Sequence, residues 1–227
     1  MLGLLFPFGG IAVGGLVGLL FRRWIRPYND VLMSAVGLCV AYLGVCNALA
    51  SDDFLGILLC VFLGTWAGEL LKLDDRAVRL SGRLTAKLPG GGDAAFPRAF
   101  VTTSVLFCLG PLPLLGPLEA AAGDGWGTLL DQTAMDAMSA VVFAAALGAG
   151  VLFSACSVLV YESAIFFLSE LITPWLTDPV LTHIYAVGGI MTLAAGLSMA
   201  LPQLKLRVTN MIPALILAVV YALVCQG

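Results

Sequence analysis

The chain has 227 residues, 60% of them hydrophobic and 11% charged, with a mean hydropathy of +1.03 and a formal net charge of −3. A soluble domain carries about 25% charged residues, so the composition excludes a water-soluble globule. So small a net charge names no nucleic-acid partner. Polar residues fall in clusters between long apolar runs, the pattern of an all-α polytopic protein that has the lipid bilayer for its solvent.

A helix needs roughly 20 apolar residues to cross the hydrocarbon core. That ruler places spans near 4–21, 31–50, 54–71, 99–121, 135–153, 156–172, 184–201 and 209–225, eight in a single transmembrane domain over 1–227. No basic segment precedes the first run and no cleavage pattern follows it, so it reads as a retained span. Within it, Gly10, Gly14 and Gly18 share one helix face at four-residue spacing. Such a face lets a second helix come close. Packing within the chain is the favoured use, and a homodimer the alternative.

The connection 72–98 places Leu73, Ala77, Leu80, Leu84 and Leu88 at steps of three and four among Arg76, Arg79, Arg83 and Lys87. It reads as a basic amphipathic loop on the anionic cytoplasmic leaflet, with partner docking as the alternative. The fourth span contains three prolines and two glycines between Gly110 and Pro117, which predicts a broken helix. Unpaired backbone at that depth is tolerated only when buried in protein or lining a wet cavity.

Met135 to Ile172 is a nearly unbroken apolar stretch. As one helix its 38 residues would be about 57 Å long, against a core of about 30 Å. Two crossings with a tight turn near Phe153-Ser154-Ala155 are therefore expected. Charge placement agrees. With eight spans, all 11 Lys and Arg fall in odd-numbered connections, while the even-numbered ones hold acids such as Asp52, Asp53, Asp124, Asp131 and Asp178. The positive-inside rule then puts both termini outside and the Lys/Arg-rich loops in the cytoplasm.

Spans one to three align with spans six to eight at an offset of 152, which sets Pro27 on Pro179, Gly37 on Gly189 and Gly44 on Gly196. Five crossings precede the sixth span, so the second triplet enters from the opposite side. An inverted repeat is expected, with a binding site at the repeat interface.

The candidate site residues are the polar groups without a water-facing reason. Glu162 leads, about seven residues into the sixth span and near mid-membrane, where an ionised carboxylate costs roughly 2.5–3.5 kcal/mol. Tyr161 and Ser163 flank it, and Asn47 and Asn210 are further intramembrane amides. Asp136 lies near the outer end of span five, suited to a helix cap. Thr102, Thr103 and Ser104 add hydroxyls beside the broken segment, where Gly110, Pro111 and Pro113 stand. Carboxylate, hydroxyl and amide oxygens suit a monovalent cation or a proton. No cofactor or metal centre is expected: the six cysteines lie in apolar runs without CxxC spacing, and His183 has no partner cluster.

Phe100-Val-Thr-Thr-Ser-Val-Leu-Phe-Cys-Leu-Gly110, Leu147-Gly-Ala-Gly-Val151, Ala186-Val-Gly-Gly189 and Asn210-Met-Ile-Pro-Ala214, in this order, resemble the YqgA-like bacterial membrane proteins, a family of unknown function. The resemblance covers nearly the whole chain and implies a bacterial inner-membrane protein. In that family Tyr161 is usually followed by glutamine and glycine, where this chain has Glu162 and Ser163. The departure implies that polarity at 162 matters more to the family than charge.

The function expected is secondary transport of a small solute, coupled to a cation or proton. An ion channel and a non-transporting membrane scaffold are the alternatives. An enzyme is not expected, since the sequence offers no nucleophile–base pair, metal constellation or phosphate loop.

Overall fold

In the computed structural model, residues 2–85, 95–108, 112–123, 125–201, 203–204 and 206–225 are described. All regular structure among them is helical: α1 (Leu5–Leu20), α2 (Arg22–Ile25), α3 (Asn29–Ala48), α4 (Phe54–Leu71), α5 (Leu73–Thr85), α6 (Ala95–Cys108), α7 (Leu112–Ala122), α8 (Gly127–Leu147), α9 (Gly150–Phe167), α10 (Ser169–Ile172), α11 (Asp178–Ala200) and α12 (Pro213–Cys225), with short 3₁₀ turns between some of them. The chain forms two compact units, one of residues 1–36, 77–108 and 112–169, the other of residues 37–76, 109–111 and 170–227.

In the first unit α1 lies along α8. A Cβ on Gly10 would stand 2.9 Å from the Thr133 carbonyl oxygen, and Cβ atoms on Gly14 and Gly18 would run into the carbonyls of Ala137 and Val141. Partners advance by four residues together with the glycines, so the helices are parallel. The glycine face is filled within the chain, because only hydrogen side chains allow backbones so near.

α6 and α7 meet at a bend of 56°. Of the segment expected to be irregular, Gly110 and Pro111 lie outside the described residues, while helix resumes at Leu112, earlier than expected. Pro113 is in the first turn, where a missing N–H leaves no hydrogen bond unmade. Gly116 faces Leu129, whose Cδ2 would lie 2.7 Å from an added Cβ. The turn between α8 and α9 is at Gly148-Ala149 rather than near Phe153-Ser154-Ala155. Gly148 takes φ +91° and its N–H closes α8 on Ala144 O at 3.0 Å. Glycine reaches that backbone region without strain, whereas Ser154 and Ala155 are ordinary buried helix positions.

The second unit crosses its helices antiparallel. A Cβ on Gly37 would lie 2.7 Å from Gly196 O, and one on Gly44 2.8 Å from Gly189 O, so α3 and α11 touch backbone to backbone. α4 and α12 do the same at Gly64 and Ala214, and Gly68 of α4 meets Asn210 in the 3₁₀ turn just before α12. Ile57, Cys60, Ala186, Val187, Met191, Ala214 and Ala218 form its core. The outward faces stay apolar: Phe54, Leu55, Phe62, Trp66 and Leu70 of α4 are all exposed. That is a surface for lipid rather than water.

Five helices among the described residues are long and apolar enough to cross a membrane, or six with the bent α6–α7 pair as one span. Eight were expected. The other two are α1, which at 16 residues is about 24 Å long, and α8, whose N-terminal half holds Asp131, Gln132 and Asp136. Within the connection 72–98, α5 covers Leu73–Thr85. Residues 86–94 lie outside the described residues.

Candidate functional site

One face of α9 presents Val151, Ser154, Ala155, Val158, Glu162 and Ile165 to the interior of the first unit. Their three- and four-residue spacing makes Glu162 the one ionisable member of this buried stripe, and its side chain is 0% exposed. Opposite it on α8 stands Gln132, 1% exposed. Its Nε2 donates to Glu162 Oε1 at 2.7 Å and, one helical turn along, to Asp136 Oδ2 at 3.3 Å. A single amide therefore serves two carboxyl groups. Glu162 Oε2 and Gln132 Oε1 are buried and receive no hydrogen bond among the described residues. An unmet buried polar atom costs about 1–3 kcal/mol, so this arrangement is held at a cost and invites a further donor or cation.

Because α9 begins at Gly150, Glu162 lies about two-thirds along its helix rather than near the middle of a span beginning at 156. α8 likewise begins at Gly127, which puts Asp136 well inside the helix and not at its cap. The reason is shared: the turn sits at Gly148, six residues before the expected position, so both helices shift toward the N-terminus.

Around this cluster, Tyr161 and Ser163 are half-buried and flank Glu162. Thr103 is buried and donates to Ala99 O at 2.8 Å. The Ser104 hydroxyl donates to Ser157 Oγ at 3.0 Å and ties α6 to α9. Thr102 is exposed and Pro113 is buried. Asn47 and Asn210 belong to the second unit. Asn47 passes beside Gly189 on α3. Asn210 is buried and fully engaged: its Oδ1 accepts from the Asp74 N–H at 2.7 Å and its Nδ2 donates to the Glu69 carboxylate. It thereby satisfies an orphan N–H at the start of α5 and clasps the end of α4. Arg207 Nη1 lies 3.5 Å from Glu69 Oε1 and 3.8 Å from Asp75 Oδ2.

Two groups were not anticipated from sequence. Gln132 is not among the sequence candidates, although its four-residue spacing from Asp136 is a readable signal. His183 was read as isolated, yet its Nε2 stands 3.3 Å from Asp53 Oδ2 and its Nδ1 3.1 Å from Pro179 O, with the Tyr221 ring 5.4 Å away. Both ring nitrogens face acceptors, and the tautomer decides which of them donates. Asp53 also caps α4 by accepting from the Gly56 N–H at 3.0 Å.

The Gly56 N–H, then the Tyr221 hydroxyl and His183, hold the Asp53 carboxyl below the usual carboxylate range, against a smaller opposing desolvation. A depressed carboxylate contributes stability above its unfolded pKa, lost as pH falls through the folded one. The melting temperature of the wild type is accordingly expected to exceed that of Asp53→Asn by a constant margin above about pH 5. The margin should close below about pH 4. A margin that survives to strongly acid pH would show that the carboxylate charge is not what holds this corner.

Comparison with known proteins places these observations in a family. The sequence profile of DUF554, described as a protein of unknown function, matches residues 2–223. The uncharacterized membrane protein YdfK of Bacillus subtilis (strain 168) is 29% identical over 223 residues, covering 96% of this chain and 93% of its own. The uncharacterized protein YqgA of Escherichia coli (strain K12) is 28% identical over 217 residues, covering 92% and 90%. No solved structure matches.

Proposed function

Since the chain belongs to the DUF554 family, we propose that it is a secondary transporter of a small solute in the bacterial inner membrane, coupled to a monovalent cation or a proton. The observation that carries this reading is the buried Glu162–Gln132–Asp136 cluster, with its two unmet oxygens. Ionisable side chains inside membrane segments are costly, and they concentrate where ions or protons are handled.

We read the chain as eight crossings with both termini outside, and the helix senses within each unit fit that count. Within the first unit α1 and α8 run parallel, and α8 and α9 are joined by the Gly148 turn as an antiparallel pair. In the second unit α3 opposes α11 and α4 opposes α12. Crossings one and five, five and six, two and seven, and three and eight have these relative senses when every span is counted.

An inverted repeat also fits. Exchanging each residue for its equivalent at the offset of 152 turns the Gly37–Gly196 contact into the Gly189–Gly44 contact, and both occur. The contacts of α4 with α12 at Gly64–Ala214 and with the turn before it at Gly68–Asn210 share a register that pairs Leu63 with its own equivalent, Leu215. Antiparallel pairs centred on equivalent residues are what a two-fold axis in the membrane plane produces.

The 56° bend between α6 and α7 favours a second reading, an ion channel with a broken helix at its filter. Flux in proteoliposomes separates the two. Saturable uptake driven by an ion gradient is expected from the transporter, and Glu162→Gln, which keeps the polarity and removes the titratable group, is expected to weaken its dependence on that gradient. Large currents that do not saturate would favour the channel. No flux for any solute or ion tested would leave a membrane scaffold.

A further inference from the structure

Resting on the transporter reading, we propose that the ion taken by this site is a proton, held on Glu162 while Gln132 donates one amide hydrogen to Glu162 and one to Asp136. Charge is the first argument. α9 packs against α1, α6, α7 and α8. Lys, Arg and His are absent from α1, α7, α8 and α9, and α6 contains only Arg98, which is exposed near its start. The titratable groups that face Glu162 are Asp136 of α8, Cys108 of α6 and Tyr161 of α9 itself. On α7, Glu119 accepts from the Thr128 hydroxyl, Asp131 of α8 is exposed, and α1 has no titratable side chain. None of these groups is a cation. Buried carboxylates without a cationic partner are normally neutralised, because leaving them charged costs far more than an amide hydrogen bond returns.

The second argument is the pair of unmet oxygens. When a hydronium ion transfers its proton to Glu162 Oε2, an O–H bond forms, one water is released, and the charge on the two carboxyl groups falls from −2 to −1. An oxygen that was a buried acceptor without a donor becomes a donor, and the acceptor still unmet in the same hydrogen-bonded pair is Gln132 Oε1. Release reverses each change, and the Gln132 amide stays bonded to Oε1 throughout. A metal cation is less well served. It needs several oxygens at once, and the buried oxygens left without a partner in this cluster are Glu162 Oε2 and Gln132 Oε1, one on each side chain.

Infrared difference spectroscopy on the full-length protein in liposomes tests this. At neutral pH a protonated-carboxyl C=O band is expected that shifts in heavy water and disappears on alkaline titration. It should be lost in Glu162→Gln, and persist at an altered frequency in Glu162→Asp. It should also persist in Asp136→Asn, where Glu162 keeps the proton, so the test survives misfolding of any one variant. A band removed by sodium, potassium or lithium at fixed pH, or no titrating band in either carboxyl-retaining variant, would overturn the proposal. These spectra require no transport. A titrating band without flux defeats the transporter reading alone, whereas sodium-driven flux without the band defeats the proton alone.

Discussion

Gln132→Leu is expected to destabilise the protein by about 1–3 kcal/mol, the cost of removing the donor from a buried polar acceptor, read as a lower melting temperature in detergent. Glu162 Oε1 then joins Oε2 without a partner, on a side chain that is 0% exposed. The double variant Gln132→Leu/Glu162→Leu is expected to recover most of that loss, since replacing both members of a buried polar pair by apolar groups is often neutral or stabilising. Coupling uptake, by contrast, should not return in the double variant. A double variant no more stable than Gln132→Leu would mean that the two side chains are not energetically linked. The combination separates a polar pair kept for function from one kept for the fold.

Gly44→Ala and Gly196→Ala should each destabilise by about 1–3 kcal/mol or more, as overpacking against backbone does, and by equal amounts. A Cβ on Gly44 would lie 2.6 Å from Leu193 Cα, and one on Gly196 2.8 Å from Ala41 Cα, distances at which a backbone has to move. Equality is the informative part, because the two positions are equivalents at the 152-residue offset. Gly9→Ala is the control. Nothing lies within 4 Å of its added Cβ, so it should stabilise by up to about 1 kcal/mol through helix propensity alone. Thermal unfolding of the three variants in one detergent measures all of this, and clearly unequal costs at 44 and 196 would count against the two-fold relation.

Much of the fold was legible from particular residues. Gly10, Gly14 and Gly18 announced a close helix contact because their spacing matches one helix face, and that face is filled by α8. The apolar runs around α3, α4, α9, α11 and α12 marked helices long enough to cross a bilayer, because chain length per helical rise is a local quantity. The α8–α9 boundary was misplaced, since a glycine-containing apolar run carries no polar marker for its turn. Gly148 was the position that mattered, as the residue that reaches a positive φ without strain.

The candidate site divides in the same way. That a carboxylate sits inside an apolar helix was fixed by the sequence around Glu162, since hydrophobic patterning is written residue by residue. That Gln132 meets it, 30 residues away, and that His183 meets Asp53, 130 residues away, depended on how helices cross. Side-chain partners at such separations are set by packing of glycine faces and by the direction of each turn, neither of which is encoded at the positions that end up touching. Local composition determined that this is a helical membrane protein with a buried acid. Tertiary structure alone decided which amide that acid would share.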